Sequence, residues 1–451
     1  MVQRLRFLAC IVLATSPGCA SDARLGNGAT TGGDACAFSV KKSAISPKIA
    51  TVGVVEWSLA GAPPASAKIV FTLKNFAPSM TNLGGQAPVN LSKPNYRTLL
   101  LGLKQSSDYV FHIEATRDDG ECISPDYALP TTGSFAAARR VTVQVDQAAK
   151  REPGFIVTSS GTTLPNSAFI IDADGEIVWY APGPENPSRA QMDYEGDNLW
   201  MVSLNMINSG GEMRYISMDG EQEQQHVPGL ELSHHDFTVL PGGKIATLVW
   251  ASAEIDPESF VAVRSADGAV ENLFRVGSNL YRSDAFHANA IHYNPLDESF
   301  TIADRNPNVL VKASATGTPE WQVGGLCAGA PVGNRCFPHD WQVVHGHHLL
   351  EDGTLLAFNN GFIGKSQVFE FKLDVTPTSF AAAQVKNYEG TATSFNLGDV
   401  QRLPGGNTLI TYATDERIIE LDADWNEVQT FSARVGYSSW RQTLYGPPPR
   451  P

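Results

Sequence analysis

The chain predicts an all-β protein: an N-terminal β-sandwich followed by a six-bladed β-propeller. Three observations carry this. Small acidic turns recur between apolar strands at separations of roughly 45 to 60 residues, the length of a four-stranded propeller blade. A second turn type, rich in Pro and Gly, falls between them. The first hundred residues after the leader instead hold short alternating strands with no such repeat.

The N-terminus has the pattern of an export signal. Arg4 and Arg6 precede the apolar run Phe7 to Ala14, too short to span a bilayer. Pro17-Gly18-Cys19 resembles a lipoprotein box, so residues 1–19 are expected to be a signal of lipoprotein type with Cys19 lipidated. Residues 20–35 are small, polar and Gly-rich and predict a flexible linker. The expected location is the periplasm or cell envelope.

Residues 36–135 predict the sandwich, with strands over Ile49–Leu59, Ala67–Leu73, Tyr96–Leu103 and Tyr109–Thr116. Four cysteines remain beyond the signal and its Cys19: Cys36, Cys122, Cys327 and Cys336. An even number in an oxidising compartment suggests disulfides. Proximity pairs Cys36 with Cys122 and Cys327 with Cys336, out of three possible connectivities.

Residues 136–451 predict the propeller. The acidic turns are Asp172-Ala173-Asp174-Gly175, Met218-Asp219-Gly220 and Ala266-Asp267-Gly268, with weaker copies at Ala315-Thr316-Gly317, Leu373-Asp374 and Asp422-Ala423-Asp424. The second marker is Leu240-Pro241-Gly242-Gly243, Glu351-Asp352-Gly353 and Leu403-Pro404-Gly405-Gly406. Six acidic turns imply six blades, and propellers place ligands in the central channel.

The formal charge of −14 argues against nucleic acid or an anionic membrane as a general partner. A membrane is expected only through a lipid at Cys19. An anionic small molecule needs a local pocket of His and Arg.

That pocket has candidates. Eight of ten histidines fall in one stretch, at positions 234, 235, 287, 292, 339, 345, 347 and 348, in three groups about one blade apart. Several imidazoles with Arg305 could hold a tetrahedral oxyanion while one attacks. Three imidazoles could alternatively bind zinc, although no HxxxH or CxxC spacing exists. His234, next to His235, is expected on the opposite strand face in a structural role. His292, His339, His347 and His348 are expected to pack or to support. Trp179, Trp250 and Trp321 are expected in blade cores, with an aromatic acceptor pocket as the other use.

The segments Ser233-His234-His235-Asp236-Phe237, Phe286-His287-Ala288-Asn289-Ala290-Ile291-His292, Asp304-Arg305-Asn306, and His345 thirteen residues before Phe358-Asn359-Asn360-Gly361 together resemble the exported, PAPS-independent aryl-sulfate sulfotransferases. Gly398-Asp399-Val400-Gln401-Arg402-Leu403 fits them too. The resemblance implies a sandwich-plus-propeller fold. It implies sulfuryl transfer from a phenolic sulfate ester to a phenol through a sulfohistidine, with no cofactor or metal. It places the nucleophile at His345, the HxN pair at His287 and Asn289, the arginine at Arg305, and the earlier histidine at His235. The family's disulfide near the nucleophile resembles Cys327 and Cys336. This chain departs at Val344, where the family has Gln, and at Asn359, where it has Asp. The small-molecule partners implied are an aryl sulfate donor and a phenolic acceptor; a homo-oligomer is compatible. The competing readings are a lipid-anchored propeller that binds a glycan or protein without catalysis, and a metal-dependent hydrolase.

Overall fold

The computed structural model describes residues 36–138, 140–205, 211–252, 257–361, 364–376 and 379–450. The signal, Cys19 and the linker over 20–35 lie outside the described residues. Among the described residues the fold is all-β, apart from a single 3₁₀ turn at Pro94–Tyr96. No helix among them is long and apolar enough to cross a membrane.

Residues from Phe38 to Ala128 form two antiparallel sheets. One pairs Phe38–Ile45, Gly53–Leu59 and Thr98–Leu100; the other is built around Ser66–Leu73 and Tyr109–Arg117. Period-two alternation sends Tyr109, Phe111, Ile113 and Ala115 inward, where they share one core with Trp57, Ile69 and Phe71. Cys36 is bonded to Cys122. The second disulfide, Cys327–Cys336, lies in the later part of the chain, and both agree with the proximity pairing. Two disulfides suit an oxidising compartment.

Six sheets of four or five strands follow in chain order. Their lead strands are Ser438–Arg441, Pro187–Met192, Ser233–Leu240, Ala288–Asn294, Val344–Leu349 and Asp399–Arg402, for sheets one to six. Each lead strand touches that of the next sheet, and the sixth touches the first. The chain's two ends interlock to make this possible. Ser438–Arg441 pairs with Phe155–Ser159 to complete sheet one, while Thr142–Asp146 pairs with Glu427–Ser432 to complete sheet six. The cores lie between neighbouring sheets; Leu248, Phe274, Ile291 and Ile302, for example, join sheets three and four.

The repeated turns have a physical cause. In the acidic type the side chain accepts backbone N–H groups two to four residues on: Asp172 Oδ1 from Asp174 and Glu176, Asp219 Oδ1 from Glu221, Asp267 Oδ1 from Ala269, Asp422 Oδ1 from Asp424 and Asn426. Each of these turns joins the third and fourth strands of its sheet. Asp374 is the exception. It lies inside the strand Gln367–Val375, whose pairing with the next strand runs on through Asp374↔Ala381 to Val375↔Phe380. The Pro-Gly type joins first to second strands, as at Leu240–Lys244 and Leu403–Asn407.

The first acidic turn also seats the N-terminal sheets. Lys104, 1 % exposed, reaches Asp172 at 2.5 Å and Asp174 at 3.0 Å, and Arg151 holds Asp174 at 2.9 Å.

Candidate active site

Every lead strand begins at the same end of the six-sheet assembly, and that end collects His234, His235, His287 and His345. Sheet three brings His234 and His235. A bulge between His234 and Phe237 breaks the ladder, and His235 adopts a left-handed φ of 56°. The expected alternation therefore fails here, and His234 does not point away. His234 Nδ1 lies 2.9 Å from His235 Nδ1, and His234 Nε2 lies 3.0 Å from Ser259 Oγ. The His234 ring stacks on Trp250 at 3.6 Å between centroids. Trp250 also meets His235 and His287 edge-on, so it belongs to this cluster as well as to its sheet.

Sheet four supplies His287, Asn289 and Arg305. His287 Nε2 lies 3.1 Å from His235 Nε2. The Asp304 carboxylate accepts the His287 backbone N–H at 2.8 Å and the Tyr281 hydroxyl at 2.6 Å, which pins the start of the lead strand. Arg305 follows Asp304, and its backbone N–H donates to the His287 carbonyl. Its guanidinium charge acts on His235, His345 and Tyr437. Arg305 is half-buried, whereas His235, His287, Asn289 and His345 are buried, so the arginine marks the solvent side of the group.

Sheet five supplies His345. Asn289 Nδ2 donates to the Val344 carbonyl at 2.9 Å, which ties sheet four to the residue before His345. Among the described residues the buried Asn289 Oδ1 accepts no hydrogen bond from the protein. Val343 has φ 61°, an uncommon state for a β-branched residue, and its carbonyl meets His345 Nδ1 at 3.2 Å. A carbonyl only accepts, so the His345 proton sits on Nδ1 and the lone pair on Nε2. Gly346 is required next: a Cβ there would come within 2.1 Å of the Asp399 carboxylate. Burial pushes His345 down to about 3, and holds His234 and His235 well below the usual imidazole range; all three are neutral near pH 7.

Below this group runs a layer that the sequence did not single out. Arg189 binds Asp236 through Nε and Asp399 at 2.9 Å, all three buried, with the Tyr437 ring against the guanidinium at 4.5 Å. Asp236, next to His235 in the chain, serves Arg189 and the Ile291 backbone N–H. Burial pushes the Asp236 carboxyl up against the pull of Arg189. The Tyr437 hydroxyl donates to the Asn289 carbonyl at 2.8 Å. No sequence motif marks Arg189 or Tyr437. Asp399 lay inside a quoted segment without a role.

His292, His347 and His348 lie beyond this layer. They pack together, with His347 Nε2 at 2.9 Å from Thr301 Oγ1, and the Arg402 N–H donates to His348 Nδ1. His292 and His348 line a separate cavity of about 120 Å³ at the far end, bordered by Tyr293, Trp440 and Arg441. His339 packs on Trp341, Phe369 and Phe371, away from the cluster. Among the described residues no three His, Cys, Asp or Glu side chains have the arrangement of a metal site.

Residues 243–434 match the family model of the arylsulfotransferases (ASST). That region is similar to the arylsulfotransferases. It takes in His287, Asn289, Arg305 and His345, and begins eight residues after His235. No curated protein matches the chain. Among solved structures, a protein of unknown function from Bacteroides caccae is 13% identical, with 64% of this chain and 99% of that chain covered and a TM-score of 0.45. A streptogramin B lyase is 15% identical over 64% of this chain and 86% of its own, with a TM-score of 0.39. A functionally unknown protein from Desulfotomaculum acetoxidans is 12% identical over 73% and 95%, with a TM-score of 0.42.

Proposed function

We propose that the chain is an exported aryl-sulfate sulfotransferase. It moves a sulfuryl group from a phenolic sulfate ester to a phenol, through a sulfohistidine at His345. The carrying observation is that His235, His287, Arg305 and His345, spread over 111 residues of chain, converge at one end of the lead strands. The arylsulfotransferase match over residues 243–434 supports the transferase reading. In this reading the six sheets are blades of one propeller over residues 136–451, and residues 36–135 are a sandwich. Residues 1–19 are a lipoprotein-type signal and 20–35 a tether.

The aryl sulfate enters past Arg305 with its sulfuryl group toward His345. The Nε2 lone pair attacks sulfur as the S–O(aryl) bond breaks, and the electron pair leaves on the phenolic oxygen. Arg305, His287 and His235 hold the equatorial oxygens, where preorganised donors contribute about 3 kcal/mol each. Asn289 fixes the backbone before His345 through the Val344 carbonyl. A second phenol then attacks the sulfur as the N–S bond breaks and its electron pair returns to His345 Nε2; the proton this phenol gives up balances the one the departed phenolate takes up. The acid–base step uses residues alone, and no cofactor enters.

The test is a two-substrate assay: the protein, p-nitrophenyl sulfate and a second phenol. Release of p-nitrophenol that depends on the second phenol, with the sulfated second phenol as product, supports transfer. Release without any transfer product indicates a hydrolase, and no release indicates a binding protein.

A further inference from the structure

The arrangement around His234 carries an inference about how His235 is presented. Ser259 Oγ, His234, His235 and His287 form an unbranched chain of contacts at 3.0, 2.9 and 3.1 Å. A neutral imidazole has one N–H and one bare nitrogen, so fixing one ring's proton fixes every ring after it. His234 and His235 are both neutral through burial.

Ser259 sets the direction. Its hydroxyl is buried, and among the described residues its oxygen meets no polar side-chain atom except His234 Nε2. If Ser259 accepted from His234, its own proton would be buried without an acceptor, at a cost of about 1–3 kcal/mol. Ser259 therefore donates to His234 Nε2. The His234 proton then sits on Nδ1 and donates to His235 Nδ1. The His235 proton is left on Nε2, the nitrogen that faces His287.

We propose that His234 is a positioning residue which, held by Ser259 and by its stack on Trp250, locks His235 in the Nε2–H tautomer, so that this nitrogen donates to His287 Nε2 in the free protein and turns the same N–H to an oxyanion when one is bound. The inference deepens the functional reading above and rests on it for the group that His235 meets. An N–H at His235 Nε2 attracts a sulfuryl or departing aryl oxygen. The other tautomer would turn a lone pair on it. Nothing in the Ser233-His234-His235 sequence distinguishes His234 as a support from a residue on the outer strand face. The bulge and the left-handed His235 bring the two rings together.

The test combines nitrogen-15 NMR of labelled histidine with steady-state kinetics. In the wild-type protein His235 should show a protonated Nε2 and a bare Nδ1. His234→Phe keeps an aromatic ring on Trp250 but has no nitrogen. It should give a mixture of His235 tautomers and roughly a tenfold loss in kcat/KM, the worth of one hydrogen bond. His234→Asn places an amide N–H near the position of Nδ1 and should restore the tautomer and most of the rate. Ser259→Ala removes the group that sets direction and should also mix the tautomers, which keeps the test open if the Phe variant does not fold. A wild-type His235 protonated on Nδ1, or a Phe variant with unchanged tautomer and rate, overturns the lock. An Nε2–H tautomer in a wild-type protein that transfers no sulfuryl group supports the lock and overturns the sulfotransferase reading.

Discussion

His235 Nε2 and His287 Nε2 stand 3.1 Å apart although 52 residues separate them in the chain. The contact joins the lead strands of sheets three and four, and it exists because each sheet presents its first residues at the same end. One-blade spacing in sequence becomes hydrogen-bond distance in space. His345, Asn289 and Arg305 arrive by the same route.

Replacing His345 by Ala removes the proposed nucleophile while leaving the strand's backbone contacts in place. Transfer should fall by at least about 10³-fold, in line with loss of a covalent route. Thermal unfolding should shift little, because the imidazole bonds to a carbonyl in its own segment and ties no two sheets through the backbone. Phenol-dependent release of p-nitrophenol is the readout.

Arg189→Met should destabilise the fold by about 3–5 kcal/mol, since it leaves Asp236 and Asp399 buried without their cation. A urea titration measures this. Asp236→Asn combined with Asp399→Asn in the Met background should recover part of the loss, because the uncompensated charges are then gone.

Acid should weaken the fold. Burial pushes His345 to about 3 and His347 and His348 to about 4, from an ordinary value near 6.5. Between those values the unfolded chain binds protons that the folded protein refuses. Their contribution is complete above about pH 6.5 and is lost as pH falls from there toward about 4, at up to roughly 1.4 kcal/mol per pH unit for each imidazole. Asp236, raised by burial, works in the opposite sense over part of this window and offsets one imidazole. The urea midpoint should therefore be lower at about pH 5 than at about pH 7.5. The nucleophile stays neutral throughout, so kcat/KM should show no inflection from His345 near pH 6.5.

Breaking Cys36–Cys122 by Ser substitution at both positions should cost about 4 kcal/mol, because this bond closes a loop with 86 residues of separation. Cys327–Cys336, with a separation of 9, should contribute less on the same account. Denaturant midpoints of the two double variants compare them.

Much of this was legible in the sequence. The turn residues declare themselves because Asp and Gly supply the side-chain acceptors and left-handed backbone that such hairpins need, as at Asp172 and Gly175. The histidine groups stand out through spacing. What could not be read is what depends on backbone exceptions and on pairing across blades. His234 looked structural because strict alternation was assumed, and one left-handed residue reversed it. Arg189 is an ordinary arginine in a strand until Asp236 and Asp399, 47 and 210 residues away, close around it. Asp374 looked like a turn and is a strand residue, since the hairpin runs longer than its neighbours' and pairs Asp374 with Ala381.

The most direct measurement is peptide mass spectrometry after brief incubation with an aryl sulfate and no acceptor, under alkaline workup that spares phosphoramidate-like N–S bonds. The account predicts a sulfuryl adduct on His345 that disappears when a phenol is added, with the phenol sulfated in step. Sulfated phenol formed with no adduct on His345, or with the adduct on another residue, would contradict it.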